Sequence, residues 1–381
     1  MTSASMPAFD AFTSAAKPAG AFAWRQRLGN LLPHSLARML HWEFWPTWLA
    51  YIPLVPVYIF LAARYRSFSL PLIANTAPSL SMLAGESKFE ILQSLPAGRI
   101  ATAFLADPCT HAPSALSFHI KKQLAIRGWS FPFILKPDRG CRGSGVRLIR
   151  TPDQLEVCIS HISEPMLIQQ YHPGPCEVGV FYAHRPSQAT GQILSVTRKV
   201  FPSVTGDGVH TLSSLIERHA RLRLQYQRFA ARHSSQLHTI PALGQIVPLC
   251  IAGNHCQGTL FRDGSDLITP ELHAAIDAIA RETPGFHFGR FDIRCESESD
   301  LKQGKGICII ELNGISSEST NVYDPDVSIW CAYATWTRSL AEAFAIGAEQ
   351  RARGIVAPTA KQTWRLITAA RREKNLDGLS D

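Results

Sequence analysis

Residues 288–294 read Phe-Gly-Arg-Phe-Asp-Ile-Arg, and residues 307–313 read Ile-Cys-Ile-Ile-Glu-Leu-Asn. Both are short, largely apolar runs typical of β-strands, and the polar stretch between them, 296–306, predicts a hairpin loop that connects the two strands. Because successive side chains of a strand point to opposite faces, Glu311 and Asn313 point the same way and Leu312 points into the opposite layer. The pattern therefore predicts two strands that present Asp292, Glu311 and Asn313 to one site.

The residue types at this site indicate a particular metal. Two carboxylates and one amide carbonyl are hard oxygen donors, which suit Mg²⁺ better than Zn²⁺, and bound Mg²⁺ usually shares its ligand shell with substrate phosphates. An antiparallel hairpin with polar residues on its wet face would show the same pattern. The triplet of Asp292, Glu311 and Asn313 does not by itself separate the two interpretations.

A glycine-rich loop lies upstream, where residues 131–150 read Phe-Pro-Phe-Ile-Leu-Lys-Pro-Asp-Arg-Gly-Cys-Arg-Gly-Ser-Gly-Val-Arg-Leu-Ile-Arg. The sequence predicts a strand that carries Lys136, a glycine turn, and a second strand that starts at Val146. Glycines let backbone amides approach an anion and Lys136 adds a positive charge, so this is a candidate phosphate site. The loop is neither a P-loop nor a dinucleotide fingerprint, and a glycine hairpin without a ligand would look similar.

Between these motifs, residues 166–181 read Met-Leu-Ile-Gln-Gln-Tyr-His-Pro-Gly-Pro-Cys-Glu-Val-Gly-Val-Phe. An apolar strand ends here at a polar hinge, and Glu177 opens the next strand. Such a hinge could hold a nucleoside: Gln169 would accept from an adenine amino group, backbone groups from Gln170 to His172 would read the base edge, and Glu177 would accept from the ribose hydroxyls. A purely structural strand-turn-strand remains the alternative.

Taken in order, these motifs resemble the ATP-grasp superfamily, in particular its carboxylate–amine ligases. The matching pieces are Lys136-Pro with its glycine loop, the hinge that ends at Glu177, Gly289-Arg290-Phe-Asp292, and Glu311-Leu-Asn313. D-alanine:D-alanine ligases show a similar Gly-Arg-x-Asp and Glu-x-Asn pair, whereas residues 198–216 and Asn254-x-x-x-Gly258-Thr look more like the cyanophycin synthetase ATP-grasp domain. The resemblance covers roughly residues 85 to 345.

The resemblance implies roles for individual residues and two cofactors, ATP and Mg²⁺. Lys88 and Lys136 look like the two lysines that contact the nucleotide phosphates, Lys199 looks like a further phosphate contact, and Ser144 and Gly145 match the flexible loop that closes over them. The implied magnesium ligands are Asp292, Glu311 and Asn313, and the implied catalytic residues are Arg290, which stabilises transition-state charge, and Lys136.

Two departures from the family pattern bear on the substrate. Gln169 stands where many relatives carry an acid. The D-alanine ligases follow Glu-x-Asn with a proline-containing turn, but here Gly314-Ile-Ser-Ser follows Asn313. The second departure argues against D-alanine as the substrate.

The predicted fold class is α+β, with mixed strand signals and helices such as 270–281. The resemblance implies an ATP-grasp fold, in which two α+β lobes sandwich ATP, preceded by an atypical hydrophobic N-terminal region. The predicted divisions follow the order of the chain: a disordered tail at 1–20, an N-terminal region at 21–110, a first lobe at 111–182, a second lobe at 183–348, and a basic tail at 349–381.

Composition, cysteine content and charge indicate in which compartment the protein is expected and what its surface could bind. The 381 residues are 46% hydrophobic and 18% charged, with a net charge of +8. The nine cysteines are scattered and odd in number, which predicts no metal site or disulfide framework and favours a reducing cytoplasm. Five arginines between 218 and 232 are predicted to lie on one helix, as a solvated basic face or as a surface for acidic substrates or anionic lipid.

The segment 44–63 contains twenty residues without a charge, just enough to span a bilayer as a helix. Prolines at 46, 53 and 56 weaken a continuous helix, and aromatic residues gather at one end, as in an interfacial belt. A buried element, a re-entrant or interfacial element, and a span all remain open. The predicted location is cytoplasmic, with possible membrane-surface contact through 44–63.

These inferences together predict an ATP-dependent ligase that joins a carboxylate to an amine through an acyl phosphate and releases ADP and phosphate. Its expected partners are a small-molecule acid and a small-molecule amine, with no nucleic acid, and the oligomeric state is left open. Two alternatives remain: a kinase that phosphorylates a small molecule without ligation, and a non-catalytic nucleotide-binding protein associated with a membrane.

Overall fold

The structure is a computed structural model that describes residues 42–81, 85–108, 113–140 and 143–373. The predicted tail at 1–20 lies outside these residues, as does the end of the chain from 374. The strands of the described part are β1 (Ala103–Ala106), β2 (Phe133–Pro137), β3 (Arg147–Ile149), β4 (Met166–Gln170), β5 (Cys176–Ala183), β6 (Gln192–Val200), β7 (Ser203–Thr205), β8 (Ile246–Pro248), β9 (Leu260–Asp263), β10 (Phe288–Cys295) and β11 (Cys308–Asn313).

Several helices begin with residues that favour the first turn of a helix. Thr151-Pro152 and Thr269-Pro270 each place a threonine at the N-cap and a proline at the first helical position, and both threonine side chains accept a backbone hydrogen bond. The helices of the described part are α1 (Thr47–Tyr51), α2 (Leu54–Tyr65), α3 (Lys88–Gln93), α4 (Pro113–Ile126), α5 (Pro152–Ile159), α6 (Leu212–Arg218), α7 (Tyr226–Arg232), α8 (Pro270–Glu282), α9 (Glu298–Lys302), α10 (Ile329–Ala352) and α11 (Ala360–Glu373).

Two antiparallel sheets organise the fold. One has four strands in the order β1-β4-β2-β3, and the other has five in the order β11-β10-β5-β6-β9. The α+β class and the two predicted strand pairs, β2 with β3 and β10 with β11, are confirmed. The connection between β10 and β11 is not a simple loop, because Ser297 caps the short helix α9 within it.

Each sheet buries one face against helices. The five-stranded sheet packs Val180, Phe291 and Ile293 with Ile276 of α8 in one core cluster. The four-stranded sheet packs Phe133 and Leu135 in a second cluster with side chains of α4 and α5, namely Leu116, Ile120, Leu124, Leu155 and Ile159. The other face of the five-stranded sheet packs Phe181 and Phe288 with Ile346 of α10, and its remaining part lines the space between the sheets.

The chain passes from one sheet to the other at two places. Backbone hydrogen bonds join Ala101 and Arg99 to Ile309 of β11, and the chain then enters β1 of the four-stranded sheet. Further on, β4 of the four-stranded sheet leads through the hinge into β5 of the five-stranded sheet. Sheet membership therefore changes near residues 102 and 171.

The segment 44–63 is broken by its prolines, as the sequence indicates. Pro46 and Pro53 occupy the N-cap positions of α1 and α2, and Pro56 lies in the first turn of α2. Among the residues that the structure describes, no helix is long and apolar enough to cross a membrane.

The prediction that five arginines share one helix is wrong. Arg218 ends α6, Arg223 lies in a short 3-10 turn, and Arg228 and Arg232 lie on α7. Between them Arg221 is buried, and its guanidinium donates to the carbonyl oxygens of Gly258 and Thr259. The chain turns at this point to bury Arg221, so the arginines do not form one solvated face.

Candidate active site

A cavity with a volume of about 1020 Å³ lies between the two sheets. Ile134, Lys136 and Gln169 line it from the four-stranded sheet, because they alternate with the residues that β2 and β4 bury against α4 and α5. Every predicted site residue lines this cavity except Gly145, which lies beside Ser144 in the glycine loop at φ +70°. The fold therefore brings the separate sequence motifs to one place.

The five-stranded sheet presents charged side chains to the cavity. In the register of β5 and β10, Asp292 lies opposite Gly179 and Arg294 lies opposite Glu177, so these positions share the face that points away from α8. A side chain at Gly179 would come within 3.0 Å of Arg290 and 3.3 Å of Asp292. Glycine at this position leaves room for the charged pair to cross the sheet.

Ion pairs connect these charges into a network. The Nζ of Lys199 lies 3.0 Å from Oε1 of Glu177 and 3.1 Å from Oδ2 of Asp292. The Nε of Arg290 lies 2.8 Å from the other Asp292 oxygen, and the Nε of Arg294 lies 2.9 Å from the other Glu177 oxygen. Both oxygens of each carboxylate are thus paired with a cation.

The ionisation of the network follows from this pairing. Burial alone would raise the pKa of the Glu177 carboxyl, but Lys199 and Arg294 hold that pKa below its usual range. Burial would likewise raise the pKa of Asp292, and Arg290 and Lys199 hold it down. For Lys199 burial would lower the pKa, yet Asp292 and Glu177 raise it above the usual value. All three groups are therefore charged at neutral pH.

The candidate magnesium ligands lie together on this face. Asp292 and Glu311 are direct cross-strand partners, and Asn313 follows two residues later on β11. No hydrogen bond or ion pair engages the Glu311 carboxylate among the described residues, and the buried Nδ2 of Asn313 has no partner there either. The described residues contain no group of three His, Cys, Asp or Glu side chains placed to hold a metal, so the amide of Asn313 would have to contribute. The donor types and their shared face fit Mg²⁺.

A β-bulge at Ile310 joins the two sheets. The pairing of β10 with β11 passes from Asp292–Glu311 to Ile293–Ile309 and leaves Ile310 as the extra residue. Its carbonyl accepts hydrogen bonds from Nζ of Lys136 at 3.3 Å and from Nε2 of Gln169 at 3.1 Å. Burial lowers the pKa of Lys136 to about 8, against the attraction of Glu311.

Lys88 holds the glycine loop. Its Nζ donates to the carbonyl of Gly140 at 2.7 Å, and its backbone N–H donates to the carbonyl of Asp138. The Asp138 side chain in turn accepts from the backbone N–H of Phe89 and from the hydroxyl of Ser87, which is the N-cap of α3. The first turn of α3 is therefore fixed against the loop that follows Lys136.

The predicted nucleoside contacts form one wall of the cavity. The Nε2 of Gln169 also donates to the carbonyl of Ala101 at 3.1 Å, which fixes the plane of the amide. The side-chain oxygen of Gln170 accepts from Thr102. The ring of His172 accepts from the N–H of Gly174, and burial lowers the pKa of this histidine. Glu177 lies at the end of this wall, within the ion-pair network.

Several residues of the cavity were not found from the sequence. Arg294 donates to Glu177 and to the carbonyl of His172, and strand alternation from Arg290 and Asp292 could have identified it. Glu318 accepts hydrogen bonds from the phenols of Tyr51 and Tyr323. No local pattern pairs Tyr51 with a residue 267 positions away.

The N-terminal segment forms part of the cavity wall, through Trp42, Glu43, Phe44, Trp45 and Tyr51. The buried carboxylate of Glu43 lies 2.9 Å from the ring nitrogen of His255 and 3.4 Å from Nε of Arg221. The Trp42 ring stacks on Tyr323 with the ring centroids 5.3 Å apart. The atypical N-terminal region therefore shapes the end of the cleft near Arg290.

No protein-family model matches the chain, and no curated protein matches it. Among solved structures, the chain is similar to a D-alanine–D-alanine ligase from Bacillus anthracis, with 12% identity over 72% of this chain and 69% of that chain and a TM-score of 0.40. It is similar to a RimK-domain ATP-grasp protein from Sphaerobacter thermophilus, with 11% identity over 72% of this chain and 70% of that one and a TM-score of 0.35.

A bifunctional glutathione synthetase from Pasteurella multocida is 15% identical over 62% of this chain, with a TM-score of 0.32. The match spans only 33% of that longer chain. Similarities as distant as these concern the fold and do not identify a substrate. All three solved structures are 15% or less identical to this chain, with TM-scores of 0.40 or less.

Proposed function

We propose that this protein is an ATP-dependent ligase that joins a carboxylate to an amine through an acyl phosphate and releases ADP and phosphate. The proposal rests on one observation: charged side chains from both sides line the same cavity. Lys88 and Lys136 reach it from one side, and Lys199, Arg290 and Glu311 reach it from the other. Cations from two sheets that meet across a cleft are suited to a polyanion held between them.

Different residues of the cleft would take different parts of ATP. The two hydrogen bonds of Gln169 Nε2 fix the amide, and its Oε1, which has no hydrogen-bond partner among the described residues, would accept from the adenine amino group. Lys136 and the amides of the glycine loop would contact the phosphates. This orientation would direct the terminal phosphate toward Arg290 and Glu311.

The proposed chemistry has two steps. An oxygen of the acid substrate attacks the terminal phosphorus of ATP, the bond to ADP breaks, and an acyl phosphate forms. The amine nitrogen then attacks the carbonyl carbon, loses a proton, and phosphate leaves with both electrons of the broken C–O bond. Arg290 lies within the cavity and would neutralise the oxyanion that forms at that carbon.

Asp292, Glu311 and Asn313 would hold Mg²⁺, which neutralises charge on the phosphates when it is bound. Both oxygens of Asp292 are already paired with Arg290 and Lys199, so Asp292 would bind the metal while keeping these ion pairs. Glu311 has both carboxylate oxygens available among the described residues. Glu311 is therefore the ligand on which metal binding should depend most.

Ligand-induced stabilisation tests the nucleotide site without knowledge of either substrate. We expect a non-hydrolysable ATP analogue at 100 times its Kd to stabilise the protein by about 2.7 kcal/mol. The stabilisation should require Mg²⁺ and should fall sharply when EDTA replaces it. The melting temperature measured by calorimetry, with and without the analogue, reports this directly. A melting temperature that the analogue leaves unchanged would contradict the proposed site.

The substrates that ADP release requires distinguish a ligase from a kinase. For a ligase, sustained ADP release from pooled acids and amines requires one member of each pool, because the acyl phosphate needs an amine to complete the cycle. For a kinase, one pool alone supports sustained ADP release. A coupled ADP assay with each pool omitted in turn distinguishes the two.

The lowered pKa of Lys136 predicts a pH dependence of nucleotide affinity. Only the protonated amine attracts phosphates, so affinity for the analogue should fall as the pH rises through about 8, by at most about tenfold per pH unit. Titration calorimetry between pH 7 and pH 9.5 measures this slope. Lys136→Met should bind more weakly at pH 7 and lose the slope, whereas Lys361→Met on the exposed start of α11 should keep it. A slope unchanged in Lys136→Met would assign it to another group.

A further inference from the structure

Helices α1 and α2 carry an exposed apolar stripe. Four of its members follow one another at intervals of three or four residues, and Leu49 and Phe60 lie beside them. We call the set the outer stripe: Trp48, Leu49, Ile52, Val55, Ile59 and Phe60. Trp48 and Phe60 are 68% and 63% exposed, and Ile59 is 53% exposed. Val55 and Ile59 lie on one face of α2, Trp48 and Leu49 lie on α1, and Ile52 lies in the two-residue junction between the helices.

The opposite face of α2 is also apolar, but it is buried. Leu54 packs with Trp336 of α10, and Leu61 and Ala62 pack with Phe344 of the same helix. A helix of a soluble protein is usually polar on its outer face, and one that is apolar all round is usually buried on all sides. A contiguous exposed apolar surface of this kind marks an interaction site.

Cations border the outer stripe. Arg64 and Arg66 follow it at the end of α2, and both are exposed. Phe68 and Trp364 line one small pocket, so α11 lies beside this end and places the exposed Lys361 and Arg365 nearby. No aspartate or glutamate occurs between residues 44 and 68.

We propose that the outer stripe binds an anionic lipid surface. Aromatic and aliphatic side chains on one helical face, with arginines and lysine at its border and no acid within it, match an interface whose interior is apolar and whose headgroups are negative. The twelve residues of α2 extend about 18 Å, well short of the roughly 30 Å of a hydrocarbon core. The helix would therefore lie in the plane of the interface, anchored to the protein through α10.

Vesicle sedimentation of the full-length chain tests the proposal. We expect the protein to sediment with vesicles of phosphatidylcholine and phosphatidylserine at 7:3, and at least about tenfold less with phosphatidylcholine alone. Ile59→Glu/Phe60→Glu should lower binding to the mixed vesicles by at least about tenfold, because two carboxylates would enter the interface. Arg64→Gln/Arg365→Gln should lower it and reduce its salt dependence.

A matched control introduces two glutamates in place of exposed apolar residues on another helix, α4. Phe118 and Ile126 on α4 are 69% and 67% exposed, and Phe118→Glu/Ile126→Glu should bind vesicles like the unmodified protein. Equal binding by the stripe variant and this control would overturn the proposal. So would an absence of vesicle binding combined with a dimer that Ile59→Glu/Phe60→Glu dissociates, which would assign the stripe to a second copy of the chain. A full-length chain that binds neither vesicles nor itself also overturns it. Circular dichroism confirms that each variant is folded.

Discussion

Replacing Glu311 by glutamine should reduce magnesium-dependent ATP turnover by at least about 100-fold and leave the fold intact. Loss of a residue that only supports a metal ligand typically costs about 10- to 100-fold, so loss of a direct ligand should cost no less. The Glu311 carboxylate has no hydrogen bond or ion pair among the described residues. Its removal breaks no ion pair, and it takes away the charge that attracts the buried ammonium group of Lys136.

The measurement is ADP release at saturating ATP across a range of Mg²⁺ concentrations, together with a melting curve. Glu282→Gln is the matched control, since it makes the same substitution at an exposed position near the end of α8. The control should turn over ATP normally. Persistent turnover in Glu311→Gln, with an unchanged dependence on Mg²⁺, would show that the metal is not bound by this residue.

Asp292→Asn should instead destabilise the protein, by about 3–5 kcal/mol, in the absence of any ligand. Asp292 is 3% exposed, and its two oxygens are paired with Arg290 and Lys199. The substitution leaves Arg290 without its ion-pair partner and leaves Lys199 paired with Glu177 alone. Urea denaturation with the fluorescence of the native tryptophans measures the free energy of unfolding.

The double variant Asp292→Asn/Arg290→Met tests the cause. Asp292 is the only ion-pair partner of Arg290 among the described residues, so removal of this cation should recover part of the lost stability, which appears as a coupling energy in a double-mutant cycle. An exposed pair provides the comparison: the Asp266 side chain is 61% exposed beside Arg198, and Asp266→Asn should cost less than about 1 kcal/mol. Equal effects of Asp266→Asn and Asp292→Asn would contradict the account of a buried network.

The part of the site that sequence predicts best is the part governed by strand alternation. The period of two in β10 and β11 is local, so it places Asp292, Glu311 and Asn313 on one face once the strands pair. The same rule extended to Arg294 would have found that residue. The glycine loop was also predicted, because strands β2 and β3 must reverse direction within a few residues.

Long-range contacts were not predictable in this way. The pairing of Glu43 with His255 and Arg221 joins residues more than 170 positions apart, and no periodicity encodes it. The bulge at Ile310 depends on how β11 fits β10 and the segment before β1 at the same time. The run of arginines was misjudged because one of them, Arg221, is buried by these distant partners.

The carbonyl of Ile310 has a consequence for how the two sheets are held together. It is the acceptor through which Lys136 and Gln169 tie the four-stranded sheet to β11. The Lys136 ammonium group has three N–H donors, and one of them is used by this carbonyl at 3.3 Å. If Lys136 serves the phosphates as proposed, a bound nucleotide competes with this carbonyl for the ammonium group, and the hydrogen bond between the sheets weakens as the phosphates are bound. One backbone oxygen would in this way couple the contact between the sheets to the binding of the nucleotide.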